Sequence, residues 1–340
     1  MKYPLLKQFS KRGREFLGVE YPFICGAMAW VSTPELVAAV SNTGAFACLA
    51  AGNAPVEVFK EQIKETRRLT NKPFGANIIT IAPRYREHLE CIKDMKLPYV
   101  VFAGSIPRAR EIKLAKESGT KVLAFASTLS IAHRMVEYGA DALILEGHEA
   151  GGHVGHVSLT VLIQQVLFEV CDILPIFTAG GIAQGKMCAH MLLMGASGVQ
   201  LGTRFAISKE CCAHDKFKEA MIKANARDAV STPQFDSRLP VVAVRALRNK
   251  GMDNFRKLQI DLIKKLDKGT ITRINAQEQV EEFWLGALKQ AVVNGDIEFG
   301  SIMSGQSVGL VDKIMSINEI ITDLADNTEA ELQSVKDSFK

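Results

Sequence analysis

From residue 22 to residue 202, short apolar runs rich in β-branched residues and phenylalanine alternate with longer stretches whose apolar positions recur at helical spacing. The runs are Pro22–Gly26, Ala45–Ala50, Phe74–Ile79, Tyr99–Gly104, Lys121–Ala126, Ala142–Gly147, Leu174–Gly180 and Gly198–Gly202. Each run predicts a strand and each interval a helix. Their starts recur at roughly 25-residue spacing, the size of one βα unit. The first interval shows the local logic: Ser32-Thr33-Pro34-Glu35 ahead of LVAAVSNTG supplies a capping hydroxyl, a proline in the first turn and Gly44 as a stop.

Runs that are apolar on both faces suit parallel strands covered by helices. A doubly wound open sheet gives the same alternation. Eight units with glycines gathered just past the strand ends favour a closed (β/α)8 TIM barrel. After Phe205 the rhythm changes: Cys212–Ala226, Val241–Lys265, Glu278–Val293 and Ile317–Lys340 read as helices with no strands between them. The polar, acidic stretch after Ala325 is expected to lie on the surface and fray. The expected fold is therefore α/β, a barrel with a C-terminal helical cap. Its divisions are a barrel core over 1–206, a cap and substrate-side segment over 207–316, and a C-terminal helix over 317–340 packing back on the barrel.

Composition narrows the function classes. The 340 residues suit one barrel of about 250 residues with an added segment. The 41 basic residues are nearly matched by 37 acidic ones, so no nucleic-acid partner is expected. No apolar run nears the ~20 residues of a membrane span, and Met1–Glu20 lacks the apolar core of a signal peptide. Cys25, Cys48, Cys91, Cys171, Cys188, Cys211 and Cys212 fall in no CxxC spacing and mostly in apolar runs. They read as buried thiols in a reducing, cytoplasmic compartment.

In a barrel the reacting groups belong at the C-terminal ends of the strands. There the chain places Gly26-Ala27-Met28, Asn77, Gly104-Ser105, the string Glu146–Gly155, Gly180-Gly181 and Gly202-Thr203. Barrels often hold a phosphate on backbone N–H groups after strands seven and eight, where the last two turns lie. The plainer alternative is that these glycines only permit tight turns. No GxGxxG occurs, so a mononucleotide such as FMN fits better than a resident dinucleotide. Asn77 would then hydrogen-bond the ring and the Gly26–Met28 backbone would lie close to it.

Within EAGGH, Gly151 and Gly152 let the backbone approach a flat ligand, and His153 can donate a proton or hydrogen bond above it. A lone loop histidine is about as often structural or merely exposed. His148, His153 and His156 give HExxxH rather than HExxH, and two glycines interrupt any helix, so no metal is expected. Cys211-Cys212 at a predicted helix start could carry a stabilised thiolate, although unreactive helix residues are the plainer reading. Arg245, Arg248, Lys250, Arg256 and Lys257 read as a solvated helix face, or else as a dock for an acidic partner or a phosphopantetheine.

The strings ICGAMAWV, NKPFGANI, EGHEAGGHVG, FTAGGIAQG and GVQLGTRFAISKECCAH resemble, in order and spacing, the nitronate monooxygenase / enoyl-acyl-carrier-protein reductase II superfamily over roughly residues 20–220. GALKQAVVNGDIEFGSIMSGQSVGLV, residues 286–311, resembles the reductase II branch in particular. The resemblance implies FMN bound by Gly26, Ala27, Met28, Asn77, Gly104, Gly151, Gly180, Gly181, Gln200, Gly202 and Thr203, with His153 at the position of the family's catalytic histidine. It implies an NADH- or NADPH-dependent enoyl-acyl-carrier-protein reductase of fatty-acid synthesis. Its alternatives are a nitronate monooxygenase using O2 and an NADH:quinone reductase. The expected partners are a small-molecule or acyl-thioester substrate, with acyl carrier protein and a second copy of the chain as further candidates. On the barrel alone, a metal-free phosphosugar isomerase or aldolase stays open. Two departures bear on the substrate side: Cys25 stands where the family usually carries Gln, and Asp236-Ser237-Arg238-Leu239-Pro240 replaces its usual histidine-bearing approach to VRA.

Overall fold

The computed structural model of the chain describes residues 2–239 and 243–339. In chain order its strands are β1 (Phe23–Cys25), β2 (Phe46–Ala50), β3 (Gly75–Ile79), β4 (Tyr99–Ala103), β5 (Lys121–Phe125), β6 (Ala142–Glu146), β7 (Gly152–His153), β8 (Ile176–Ala179), β9 (Gly198–Leu201), β10 (Ala229–Ser231) and β11 (Val244–Leu247). The closed barrel runs β1-β2-β3-β4-β5-β6-β8-β9 and is parallel throughout. It closes where Ile24 pairs with Gln200 and Cys25 with Leu201. Each of the eight apolar runs contains one barrel strand, as the alternation predicts.

The two-residue period sorts these side chains into two cores. Ile24, Phe46, Cys48, Tyr99, Val101, Leu123, Ile144 and Phe177 fill the barrel interior. Phe23, Cys25, Ala47, Leu49, Val100 and Phe102 face the surrounding helices. Cys25 therefore packs in the outer shell, fully buried, and does not reach the substrate side. The N-terminal helix Lys11–Leu17 plugs the bottom: Leu17 enters the interior cluster, and the Phe16 carbonyl accepts from Tyr99 Oη at 2.8 Å and Lys121 Nζ at 2.7 Å. Only the C-terminal mouth is left for chemistry.

The segment after Phe205 is not purely helical. β10 pairs antiparallel with β11, and β11 pairs with β7, placing Val244 opposite His153 and Arg245 opposite Gly152. The VRAL run, rich in apolar residues, satisfies the free edge of β7 instead of starting the predicted helix. That helix begins at Lys250, capped by the Asn249 side chain accepting from the Met252 N–H at 3.2 Å, and runs to Asp267. The predicted start at Val241 lies outside the described residues.

Helices Lys250–Asp267 and Arg273–Asn294 share their own core of Phe255, Leu262, Ala276, Val280 and Trp284 and stand over the barrel mouth. The predicted first cap helix is shorter than expected, Asp215–Ile222. The acidic C-terminal stretch stays helical over Ile317–Asp337, with Thr328 and Leu332 buried. It is held because Thr328 Oγ1 donates to the Gly185 carbonyl at 3.0 Å and Glu329 accepts from the N–H groups of Leu5 and Leu6. No helix among the described residues is long and apolar enough to cross a membrane.

Candidate active site

The C-terminal strand ends, the β7 loop and the cap enclose a cavity of about 650 Å³. That volume lies within the usual range for small-molecule and cofactor sites. Gly26, Ala27, Met28, Asn77, Gly104, Gly151, His153, Gly180, Gly181, Gln200, Gly202 and Thr203 all line it, so the structure brings every sequence-predicted site residue to one chamber.

Local hydrogen bonds fix the turns. Ser32 Oγ accepts from the Met28 N–H at 2.9 Å and donates to the Gly26 carbonyl at 3.2 Å, holding the turn after β1. Gly180 has φ +94°, and a Cβ there would lie 2.9 Å from the Gly147 carbonyl oxygen. Only glycine allows the β8 turn to lie against the loop after β6. Thr203 Oγ1 accepts from the Gly305 N–H at 3.0 Å, tying the turn after β9 to the segment below the cap.

The loop carrying His153 is held from three sides. At Gly151 a Cβ would fall 2.4 Å from the Ser304 carbonyl carbon, so the loop lies directly on the Ser304-Gly305 backbone. Glu149 accepts from the Leu159 N–H, and His148 Nδ1 pairs with the Gly155 carbonyl at 2.7 Å. Both side chains are thus structural. Arg245 donates from Nη1 to the Ala229 carbonyl at 2.6 Å and from Nε to the His148 carbonyl at 3.1 Å. It is buried, a clamp between the small sheet and the loop, and does not belong to the basic surface the sequence suggests. Lys250 is paired with Glu298, which leaves Arg248, Arg256 and Lys257 exposed.

His153 sits at the rim, its Nε2 3.6 Å from Glu281 Oε2, with 40% and 38% of the two side chains exposed. Glu281 was not identifiable as a site residue from the sequence. It belongs to the face Glu281, Trp284, Leu285 and Leu288 that the helix Arg273–Asn294 turns to the cavity. The i, i+3, i+4, i+7 spacing was the available signal. The outer walls are apolar, with Ile79, Ile81, Ile106, Phe125 and Met303 joining that helix face. Among the described lining residues there is no Lys or Arg.

Glu146 opens the string that the sequence places at the barrel mouth, and it is the second residue to which sequence reasoning assigns no role, although it is the lone charge ending the run ALILE. It lines the cavity at the end of β6, partly buried, and desolvation pushes its carboxyl from the ordinary 4.5 up to about 8. The unfolded chain ionises at the lower value and the folded protein at the higher. Folding therefore takes up a proton between them, and stability falls as pH rises from about 5 toward 8. Glu146→Gln is expected to remove this slope and raise stability at pH 7 by roughly 2–3 kcal/mol. Urea unfolding of both proteins across that pH range checks it; an unchanged slope in the variant would show that the carboxyl ionises normally.

Burial pushes Cys211 up to about 11 and raises Cys212 as well, so neither carries the stabilised thiolate that a helix start could have provided. The helix itself begins beyond them at Asp215. The Asp236-Arg238 segment is tied by an ion pair at 2.5 Å, with Arg238 exposed; Pro240 lies outside the described residues. Among the described residues no group of His, Cys, Asp and Glu is arranged to hold a metal ion.

The chamber fits a flavin mononucleotide by its donor set. The side-chain amides of Asn77 and Gln200 face it, and glycine turns flank it after β8 and β9. The Ser304 hydroxyl is buried at its wall without a hydrogen-bond partner in the protein.

Comparison with known proteins agrees with this geometry. The nitronate monooxygenase family matches residues 10–88 and 79–327. FabK from Thermotoga maritima is 35% identical with a TM-score of 0.83, covering 96% of this chain and 98% of that one. A nitroalkane oxidase from Streptomyces ansochromogenes is 25% identical with a TM-score of 0.77, covering 93% and 98%. The (3aS,4S,5R,7aS)-5-hydroxy-7a-methyl-1-oxo-octahydro-1H-indene-4-carboxyl-CoA dehydrogenase of Mycobacterium tuberculosis is 29% identical, covering 94% of this chain and 96% of that protein.

Proposed function

The chain belongs to the nitronate monooxygenase family of FMN-dependent oxidoreductases, and from that premise we propose that it is an enoyl-thioester reductase driven by NADH or NADPH, of the enoyl-acyl-carrier-protein reductase II kind. The observation that carries this reading is the placement of His153 at the rim of a chamber whose outer walls, from barrel and cap, are apolar. An acyl chain buries well against such walls. The likeness to FabK supports the reductase chemistry, and the indene-carboxyl-CoA dehydrogenase is by its name a second relative that acts on an acyl thioester.

FMN, when bound, supplies reversible two-electron transfer. Asn77 and Gln200 would hold its polar ring edge, and the Ser304 hydroxyl lies at the part of the cavity wall that packs on Gly151. With no Lys or Arg lining the cavity, its phosphate would rest on the backbone N–H groups of Gly180-Gly181 and Gly202-Thr203. His153 would donate to the thioester carbonyl oxygen, stabilise the charge that develops there and hold the proton. Trp284, Leu285 and Leu288 give the acyl chain an apolar wall beside that hydrogen bond. A soluble acyl carrier and a cytoplasmic setting go with this reading.

The likeness to the nitroalkane oxidase favours nitronate oxidation as the second reading. Steady-state assays separate the two. The reductase reading expects NADH or NADPH consumption that depends on a crotonyl thioester. Oxygen uptake with an alkyl nitronate and no nicotinamide would establish the second reading, and nicotinamide oxidation that depends only on a quinone would establish a quinone reductase.

A further inference from the structure

Glu281 stands apart from every other group around His153. It is supplied by the cap rather than the barrel, and its helix face is otherwise apolar: Trp284, Leu285 and Leu288 flank it at the cavity. The helix is held rigidly, since the Trp284 ring packs on Phe255 with centroids 4.3 Å apart. The carboxylate is therefore carried to 3.6 Å from His153 Nε2 by a packed element and not by a loose loop. No Lys or Arg among the described lining residues offsets its charge, and the other acidic group of the chamber, Glu146, adds no positive charge either.

Resting on the reductase reading, we propose that Glu281 is a specificity-determining residue that selects neutral carbonyl acceptors over anionic substrates at His153. A substrate atom hydrogen-bonded to His153 lies within about 6 Å of this carboxylate. At the effective dielectric of a partly wet site, a negative charge there is repelled strongly enough to weaken its binding about tenfold, after allowance for solvent reaching a half-exposed pair. A thioester carbonyl carries no net charge and avoids that repulsion.

The test uses the flavin-loaded protein and two variants, Glu281→Gln and Glu282→Gln. The second removes the same charge from the exposed neighbouring position, outside the cavity lining. Inorganic nitrite serves as the anionic probe, its dissociation constant read from the visible flavin spectrum. E281Q is expected to bind nitrite about tenfold more tightly than the parent while E282Q matches the parent. The ratio of kcat/KM for crotonyl thioester to nitrite affinity should shift accordingly. Nitrite binding to E281Q no tighter than to the parent, or an equal gain in E282Q, would overturn the proposal. Whether the parent reduces crotonyl thioester at all is a separate reading from the nitrite constants, so a failed reductase assignment is distinguished from failed charge selection.

Discussion

Alanine at position 153 is expected to leave the protein folded and yellow while lowering enoyl-thioester turnover by about 10²–10⁴-fold, the usual worth of a positioned proton donor. The structure separates the two effects. His153 lies on a two-residue strand whose pairing with Val244 is made by backbone, and its side chain is 40% exposed at the rim. Truncation removes a half-exposed pairing with Glu281, worth at most about 1 kcal/mol. No buried packing is lost. Because the ring acts on charge that develops during reaction, the loss should fall on kcat more than on KM. Flavin absorbance, thermal unfolding and steady-state kinetics of the variant check the three parts together. Normal turnover would remove His153 from the chemistry.

Gly180→Ala is expected to strip the flavin. An L-residue at φ +94° is strained by roughly 1–2 kcal/mol. The added Cβ would also lie 2.9 Å from the carbonyl oxygen and 3.1 Å from the nitrogen of Gly147, backbone atoms that cannot swing aside. The β8 turn would have to leave the loop after β6, disturbing the phosphate cradle and the root of the EAGGH loop in one movement. A combined penalty of about 3 kcal/mol corresponds to a flavin dissociation constant raised on the order of a hundredfold. Gly52→Ala is the internal comparison: it also lines the cavity with positive φ, yet its Cβ would meet nothing within 4 Å. It should retain most of the flavin. Flavin titration of both variants decides the matter, and parental affinity in Gly180→Ala would show that the turn is not part of the cradle.

The barrel was legible because its strands are buried on both faces and so appear as unbroken apolar runs, five of the eight ended by a glycine whose turn leaves few other choices. His153 and the glycine turns were legible for the same local reason. What escaped was pairing between distant segments. β7 is two residues long and finds its partner β11 some ninety positions later, so nothing in either string announces the sheet. Arg245 reads as one cation among several along the chain, and only the fold supplies the His148 and Ala229 carbonyls that bury it. Cys25 could be assigned to a strand but not to a face, because the parity of β1 depends on how it joins β2 and β9. Glu281 lay on a visible helical stripe, while the histidine it meets lies more than a hundred residues earlier.

The central claim, that one chamber passes electrons from a nicotinamide to an enoyl thioester, is tested most directly by anaerobic stopped-flow of the purified protein. The visible flavin band should bleach on mixing with NADPH or NADH and return on mixing the reduced protein with a crotonyl thioester. Bleaching by propionate 3-nitronate alone, with no response to either nicotinamide, or a colourless protein, would contradict it.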